Sequence, residues 1–469
     1  MNQRNNHRLV LFPLPFQGHM NPMLQLGRIL YTRGFSITIL HTNFNAPDPS
    51  SHPHFAFRSI ANGLDRSEAS TLDIPRLVSL LNARCASPFE ECLREMMPSP
   101  GVDAVPVACL ISDQLFSFMC GVAERLKVRA LVLRTGGAAS LYVYTILPVL
   151  KEKGYVPTDG SRSEEAVKEF PPLLVRDIPV VDSQKPEMMF RLFDNLVKVV
   201  KSSTGVIFNT FEELEHPALT SLREVLSVPV FPIGPFHKCC VTSSSSSLLA
   251  EDRSCISWLD EQPLKSVIYV SFGSSAAVSN AEILEIALGL ADSQQPFLLV
   301  VRPGSVGDPE WPEKSPSHFL KALEGRGKIV KWAPQVEVLA HPAVGAFWTH
   351  NGWNSTVESI SEGVPMLCMP CFADQGVNAR YVSDVWGVGV HLNGGLEREN
   401  IARAIKRVLV EREGEETRQR ALVLKEKASG CLTPGGSSYR GLDGLVNHIL
   451  RCDSEDRLSA LEVSVNLCN

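Results

Sequence analysis

Short apolar runs alternate with stretches of helical periodicity along almost the whole chain. In the first half, RLVLFPL (8–14), FSITILHT (35–42), VACLISD (107–113), RALVLRT (129–135) and TGVIFNT (204–210) read as strands, several unbroken enough to be buried on both faces. Helical stretches such as 21–33 and 114–126 lie between them. The periodicity then stops at FPIGPFHKCCVTSSSSSLLAEDRS (231–254), where prolines, a glycine and a run of serines read as a linker. Beyond it the plan repeats. SVIYVSFG, PFLLVVR, GKIVKWA, VGAFWTH, VPMLCMP and GVGVHL are the strand candidates, with helices near 279–293, 353–362, 375–385, 397–411 and 415–429. Strands alternating with helices predict parallel sheets covered on both faces. The expectation is therefore two doubly wound α/β domains, over 1–237 and 254–430, joined by a serine-rich linker at 238–253. Ligands of such sheets bind beyond the carboxyl ends of the strands, so the ends facing a cleft between the domains are the place to look.

Composition narrows the function without specifying it. A chain of 469 residues exceeds one ordinary core, and 44% hydrophobic with 20% charged residues is the balance of a soluble globular protein. A formal charge of −6 argues against nucleic-acid or anionic-membrane partners. No apolar run approaches the roughly 18 residues of a bilayer span. The N-terminus has positive charge and then apolar residues, but Pro13 and Pro15 break the run and no small-residue cleavage site follows, so a first core strand explains it better than a signal peptide. Twelve cysteines without regular spacing fit reduced thiols in the cytoplasm. CMPC (368–371) matches Cys-x-x-Cys only formally, and HPH (52–54) has no further ligand cluster beside it.

The candidate chemistry gathers at predicted strand ends. WTHNGWNSTVES (348–359) puts His350 at the end of a strand and starts a helix at once. The helix N-terminus suits a phosphate, Gly352 admits a close backbone approach, and His350, Asn354 and Ser355 add donors. A plain capping box, Ser355 with Glu358, explains part of the same segment. A second glycine-serine turn, Gly273, Ser274 and Ser275, follows the strand at 266–273, and two such turns in one domain fit a diphosphate. Neither is a P-loop or a dinucleotide fingerprint, which weakens ATPase and NAD readings. Trp332, at a strand end, is either packing or a flat face for a base. Asp374 and Gln375 are either a helix cap or a grip for vicinal sugar hydroxyls. In the first half, His19 lies in the first strand-to-helix loop and Asp113 ends the strand VACLISD. The two can meet as a general base and its orienting carboxylate, or be unrelated loop residues. No Asp-x-Asp occurs, so the metal-diphosphate clamp built on that motif is not expected.

The ungapped segment from Trp332 to Gln375, WAPQVEVLAHPAVGAFWTHNGWNSTVESISEGVPMLCMPCFADQ, resembles the signature of plant secondary-metabolite UDP-glycosyltransferases. The likeness extends from FPLPFQGHMNP near the start to GGSSYRGLDGLVNHI near the end. The opening stretch resembles the subfamily acting on diterpenoid glycosides, cytokinins and small acids. The resemblance implies two Rossmann-like domains facing across a cleft (the GT-B type), with a C-terminal helix, 431–455, packing back on the first. It implies that Trp332 stacks on uracil and the Ala333 backbone bonds its edge, and that Gln335 and Glu358 hold the ribose. Ser274, His350, Asn354 and Ser355 would hold the diphosphate. Trp353, Asp374, Gln375 and Thr135 would contact the sugar. His19 would deprotonate the acceptor and Asp113 would balance the imidazolium. The implied reaction is inverting transfer, most simply of glucose from UDP-glucose to a small apolar plant metabolite, giving a β-glycoside. UDP-glucose is then a co-substrate, and no metal or other cofactor, no nucleic acid and a monomeric enzyme are expected. The alternative is a UDP-sugar-binding regulator without turnover, against which His19 and Asp113 speak. Gly376 stands where the family usually has proline, Ala373 where glycine is frequent, and RTGG (134–137) replaces a more usual serine- or threonine-containing stretch. No role is assigned to the tail, 453–469.

Overall fold

The computed structural model describes residues 7–61, 64, 68, 73–97, 105–156, 160–181, 185–239, 247–274, 278–306 and 326–466, with 452–466 described by backbone alone. Ser275, residues 240–246 of the linker and the last residues of the tail lie outside this set.

The strands fall into two wholly parallel sheets. The first contains β1 (Arg8–Phe12), β2 (Ser36–Thr42), β3 (Ala56–Ile60), β4 (Val107–Asp113), β5 (Ala130–Arg134), β6 (Val206–Phe208) and β7 (Val230–Pro232), in the order β3-β2-β1-β4-β5-β6-β7. The second contains β8 (Val267–Ser271), β9 (Phe297–Val300), β10 (Gly327–Val330), β11 (Val344–Thr349), β12 (Met366–Cys368) and β13 (Gly389–His391), in the order β10-β9-β8-β11-β12-β13. Each sheet reverses its winding once, between β1 and β4 in the first and between β8 and β11 in the second. At such a switch point the connections leave on opposite faces and a crevice opens at the carboxyl ends.

Both switch points are central and dry. In the first unit, Leu9 and Leu11 of β1 and Ile111 of β4 are fully buried beneath Met20, Leu24 and Leu30 of helix α1 (Gln17–Thr32). In the second, Ile268, Val270, Ala346 and Trp348 meet Ile283, Ile286 and Leu290 of α2 (Asn280–Ser293). Further helices of this unit are α3 (Gln335–Ala340), α4 (Trp353–Glu362), α5 (Gln375–Arg380), α6 (Arg398–Leu409) and α7 (Arg412–Gly430). The last helix, α8 (Ser437–Asn466), returns to the first unit. There Leu445 and Ile449 join the core beside α1, and Asp443 pairs with Arg33.

The structure departs from the sequence reading in three places. Strands β3 and β7 were not anticipated. AFRSI at β3 is largely exposed with an arginine in its middle, as suits an edge strand, and β7 is a three-residue edge. The helix expected from 114 begins at Met119. The largest difference concerns 146–186, assigned by the sequence boundary at 237 to the first domain. The compact units are instead 1–145 with 187–248 and 431–469, and 146–186 with 249–430. Buried ties to the second unit, above all Asp177 to Arg380, account for the reassignment. Two motifs resolve as packing. His52 and His54 of HPH stack on Phe55 and Tyr31. The thiol of Cys368 in CMPC is pushed up to about 12 by burial, the opposite of an activated thiolate. Among the described residues no helix is long and apolar enough to cross a membrane, and no group of three or more His, Cys, Asp or Glu is placed to hold a metal.

Candidate active site

The switch point of the first sheet brings together two residues 94 positions apart. His19 sits in the first turn of α1, directly beyond β1, and Asp113 is the last residue of the adjacent β4. His19 Nδ1 lies 2.7 Å from Asp113 Oδ2, with the carboxylate fully buried and the imidazole about a quarter exposed. The other carboxylate oxygen accepts the Leu115 N–H at 3.0 Å, which fixes the carboxylate plane. A carboxylate on Nδ1 keeps the proton there and leaves Nε2 as the basic nitrogen.

Thr135, at the end of β5, does not stand apart from this pair. It is buried, and its hydroxyl lies 3.1 Å from His19 Nδ1 and 3.4 Å from Gln114 Nε2. The turn that carries it is clamped by a residue that the sequence reading missed. Glu215 is buried, and its two oxygens accept the N–H groups of Ala138 and Ala139 at 3.0 and 2.9 Å. A carboxylate on the first turn of the helix Ala138–Glu152 is the interaction that the helix dipole favours. The only sequence signal for it is a glutamate two residues before Pro217 on an otherwise apolar helical face.

The switch point of the second sheet holds the other cluster. His350 follows β11 and Ser274 lies in the turn after β8. The imidazole of His350 is wedged between two glycines. A Cβ on Gly273 would lie 2.5 Å from its Cε1, and one on Gly352 would lie 2.5 Å from its Nε2. Gly352 therefore makes room for His350 rather than only for a ligand. Burial holds the imidazole down at about 4, so it is neutral near pH 7, and Nδ1 is buried without a hydrogen-bond partner among the described residues. A buried polar atom of that kind can take a partner from a ligand.

The turn itself is built by Asn351, the first residue of an Asn-Gly pair. Its φ of 60° lies in the left-handed region that asparagine tolerates. Its carbonyl accepts from Asn378 Nδ2 at 2.9 Å and its N–H bonds Thr349 Oγ1 at 3.1 Å. Helix α4 then starts with Gly352 as its N-cap, and Thr356 N–H is the first to find an acceptor in the helix, the Gly352 carbonyl. Asn354 is half-buried and Ser355 buried in that first turn.

The capping box expected of Ser355 and Glu358 is not formed, because the helix begins two residues before Ser355 and has no side-chain cap. Both side chains turn to Gln335 at the start of α3. Gln335 Nε2 donates to Ser355 Oγ at 2.9 Å and to Glu358 Oε2 at 2.7 Å, and its Oε1 accepts from Tyr269 OH at 3.2 Å. Burial lifts the Glu358 carboxyl to about 7, partly offset by the Gln335 bond.

Trp332 and Ala333 follow β10, the indole half-buried and Ala333 buried. Trp353 opens α4 with its indole only 4% exposed, near Trp386. Asp374 stands immediately before α5 and makes no side-chain cap. Gln375 closes the loop before it, since Oε1 accepts the N–H groups of Cys371 and Phe372 at 2.8 and 3.0 Å, leaving Nε2 for another partner. Ala373 has φ 55°, in the left-handed region that favours glycine.

Residues 228–420 match the family model described as UDP-glucoronosyl and UDP-glucosyl transferase. The chain is 46% identical over 454 residues to UDP-glycosyltransferase 76C1 of Arabidopsis thaliana, covering 96% of this chain and 98% of the relative. It is 47% identical over 455 residues to UDP-glycosyltransferase 76G1 of Stevia rebaudiana, covering 95% and 97%. Among solved structures, Phytolacca americana UGT2 complexed with UDP-2fluoro-glucose and pterostilbene superposes with a TM-score of 0.80. It shares 28% identity, with 94% of this chain and 99% of that one covered.

Proposed function

The chain belongs to the plant UDP-glycosyltransferase family and is an enzyme of glycosyl transfer from a UDP-sugar, and within that activity we propose that it moves glucose from UDP-glucose to a small apolar acceptor with inversion. The observation that carries the reading is His19 held on buried Asp113 at the switch point of the first sheet. His19 Nε2 takes the proton of the acceptor hydroxyl as its oxygen bonds the anomeric carbon. The bond from that carbon to the UDP oxygen breaks, and UDP leaves with the electron pair. Asp113 keeps Nδ1 protonated and balances the imidazolium that forms. Thr135, with its hydroxyl on His19 Nδ1, belongs in this reading to the base rather than to the sugar.

The donor falls to the second unit. The first turn of α4 with His350, Asn354, Ser355 and Ser274 receives the diphosphate, offering neutral donors and the helix dipole to the charge that grows on the leaving group. This assigns the neutralisation to the chain's own groups, with no metal or further cofactor. Trp332 stacks on uracil, with the Ala333 backbone at its edge. Gln335 and Glu358 take the ribose. Asp374 and Gln375 Nε2 supply an acceptor and a donor to sugar hydroxyls. Because the Trp353 indole is buried, its share in sugar contact falls to the main chain.

The acceptor is proposed as a small terpenoid, phenolic, hormone or glycoside of these. The complex of the Phytolacca relative with pterostilbene supports that size and character. A mass-resolved screen of UDP-glucose and UDP-galactose against such acceptors should give hexosyl products, more with glucose, whose anomeric proton reports the β configuration. An α product, or preference for galactose, contradicts the reading. UDP-glucose binding with no transfer, unchanged in His19→Ala, would favour a binding protein without turnover.

Glu358 predicts a pH dependence. Ribose hydroxyls donate to its ionised form, so binding draws its acidity below the value of about 7 in the ligand-free protein. Below pH 7 a proton must be expelled on binding, and affinity falls by up to about tenfold per pH unit until the bound-state value is reached. Calorimetry with UDP-glucose, whose diphosphate has no group titrating near 7, should show this decline between pH 7 and 5 relative to Glu358→Gln. Parallel pH profiles of the two proteins would remove Glu358 from the ribose.

A further inference from the structure

We propose that Asp177 and Arg380 are positioning residues for the sugar end of the donor site, with Gly376 as the glycine that lets them act. The inference rests on the reading that Asp374 and Gln375 contact the sugar. Helix α5 begins with Gln375 and runs on from Arg380 into a π turn, Tyr381–Val385, so its first residues are placed by what holds the sides of this helical segment. That support is the 3₁₀ turn Val175–Asp177, brought from a distant part of the chain into the same unit.

The turn grips α5 at both ends. At the far end, Arg380 Nε donates to Asp177 Oδ2 at 2.8 Å, with Nη2 3.4 Å from Oδ1. Both side chains are more than nine-tenths buried. Arg380 Nη1 also bonds Asp384 Oδ2 at 3.0 Å, and Asp177 Oδ2 accepts the Leu174 N–H at 2.8 Å, which ties the carboxylate to its own turn. At the near end, a Cβ on Gly376 would lie 3.0 Å from the Asp177 carbonyl oxygen and 3.1 Å from its Cα. The backbone of Asp177 thus sits against the residue next to Gln375.

Gly376 is the second residue of α5. Proline would stiffen the helix start from within by fixing φ. Glycine gives up that local restraint, and the Asp177 turn occupying the space beside it supplies a tertiary restraint in its place. The sugar-contacting pair is then set by a segment that lies far from the donor signature in sequence, and this is the route by which residues near 177 would tune hexose choice.

Asp177→Asn, which keeps the shape and removes the charge, and Gly376→Ala, which keeps both charges and crowds the turn, separate positioning from folding. Affinities for UDP and for UDP-glucose, and turnover with UDP-glucose and UDP-galactose, are to be measured on each. UDP affinity should stay within about twofold of the parent, whereas KM for UDP-glucose should rise about tenfold and the glucose-to-galactose rate ratio should fall, a displacement effect on positioning. If Asp177→Asn does not fold, Gly376→Ala decides. Unchanged KM and rate ratio in a folded variant would overturn the proposal, as would equal weakening toward UDP and UDP-glucose. Asp374→Ala distinguishes the two levels. If it too leaves UDP-glucose affinity unchanged, the sugar-contact reading has failed. If it alone weakens UDP-glucose, only the positioning role has.

Discussion

Replacing His19 with alanine should lower acceptor-dependent UDP release by roughly 100- to 10,000-fold, the usual worth of a positioned general base. UDP affinity should remain within about twofold, since no donor contact is assigned to His19. The size of the effect follows from what the pair provides. Asp113 is fully buried, holds Nδ1 at 2.7 Å and is itself fixed by the Leu115 N–H, so the imidazole reaches its working orientation without reorganisation. An alanine leaves the acceptor hydroxyl to lose its proton to water. It also leaves the Asp113 carboxylate without its imidazole partner, so a thermal melt should accompany the kinetics. Acceptors that are already strongly acidic should lose least, because they need the base least. Equal loss across phenolic and aliphatic alcohols would point away from proton transfer.

The second large effect is expected at Gly352. Its φ of −58° is open to any residue, so Gly352→Ala carries no backbone strain, yet its Cβ would fall 2.5 Å from His350 Nε2. The imidazole has to move, and the space at the start of α4 narrows. A lost hydrogen bond to a charged phosphate is worth about 1.5–3 kcal/mol, which corresponds to about 10- to 150-fold in UDP affinity. Gly273→Ala crowds the same ring from the other side but also places alanine at φ 74°, so it tests strain and displacement together. A Gly352→Ala protein that melts like the parent and binds UDP as tightly would show that His350 does not face the phosphates.

The parallel sheets were legible because buried strands of this class are continuous apolar runs, and all eleven runs read from the sequence fall on strands. Strands β3 and β7 escaped because edge strands carry no such run. His19 and Asp113 could be paired across 94 residues since both stand at carboxyl strand ends, where the topology collects side chains. By contrast, nothing local announces that Asp177 meets Arg380 across 203 residues, so the grouping of 146–186 with 249–430 has no signal in the sequence. Ser355 and Glu358 show the opposite difficulty. Their spacing fits a capping box, but the Asn-Gly turn at 351–352 starts the helix earlier and leaves both side chains for Gln335. Gly352 makes room for His350 as well as for a ligand, which the sequence alone does not announce. The place of Thr135 beside His19, with its hydroxyl 3.1 Å from Nδ1, had no signal in the sequence beyond its position at a strand end.

In the proposed mechanism the two switch points divide the work, proton removal at the first and donor binding at the second. Calorimetric titration of UDP into the parent, His19→Ala and Gly352→Ala proteins, with turnover measured on the same samples, tests it most directly. A crossed result is expected: His19→Ala binds UDP like the parent but does not turn over, while Gly352→Ala binds UDP at least about tenfold more weakly. Raising UDP-glucose should then restore part of the Gly352→Ala rate and none of the His19→Ala rate. Loss of UDP binding in His19→Ala, or tight UDP binding in Gly352→Ala, would contradict it.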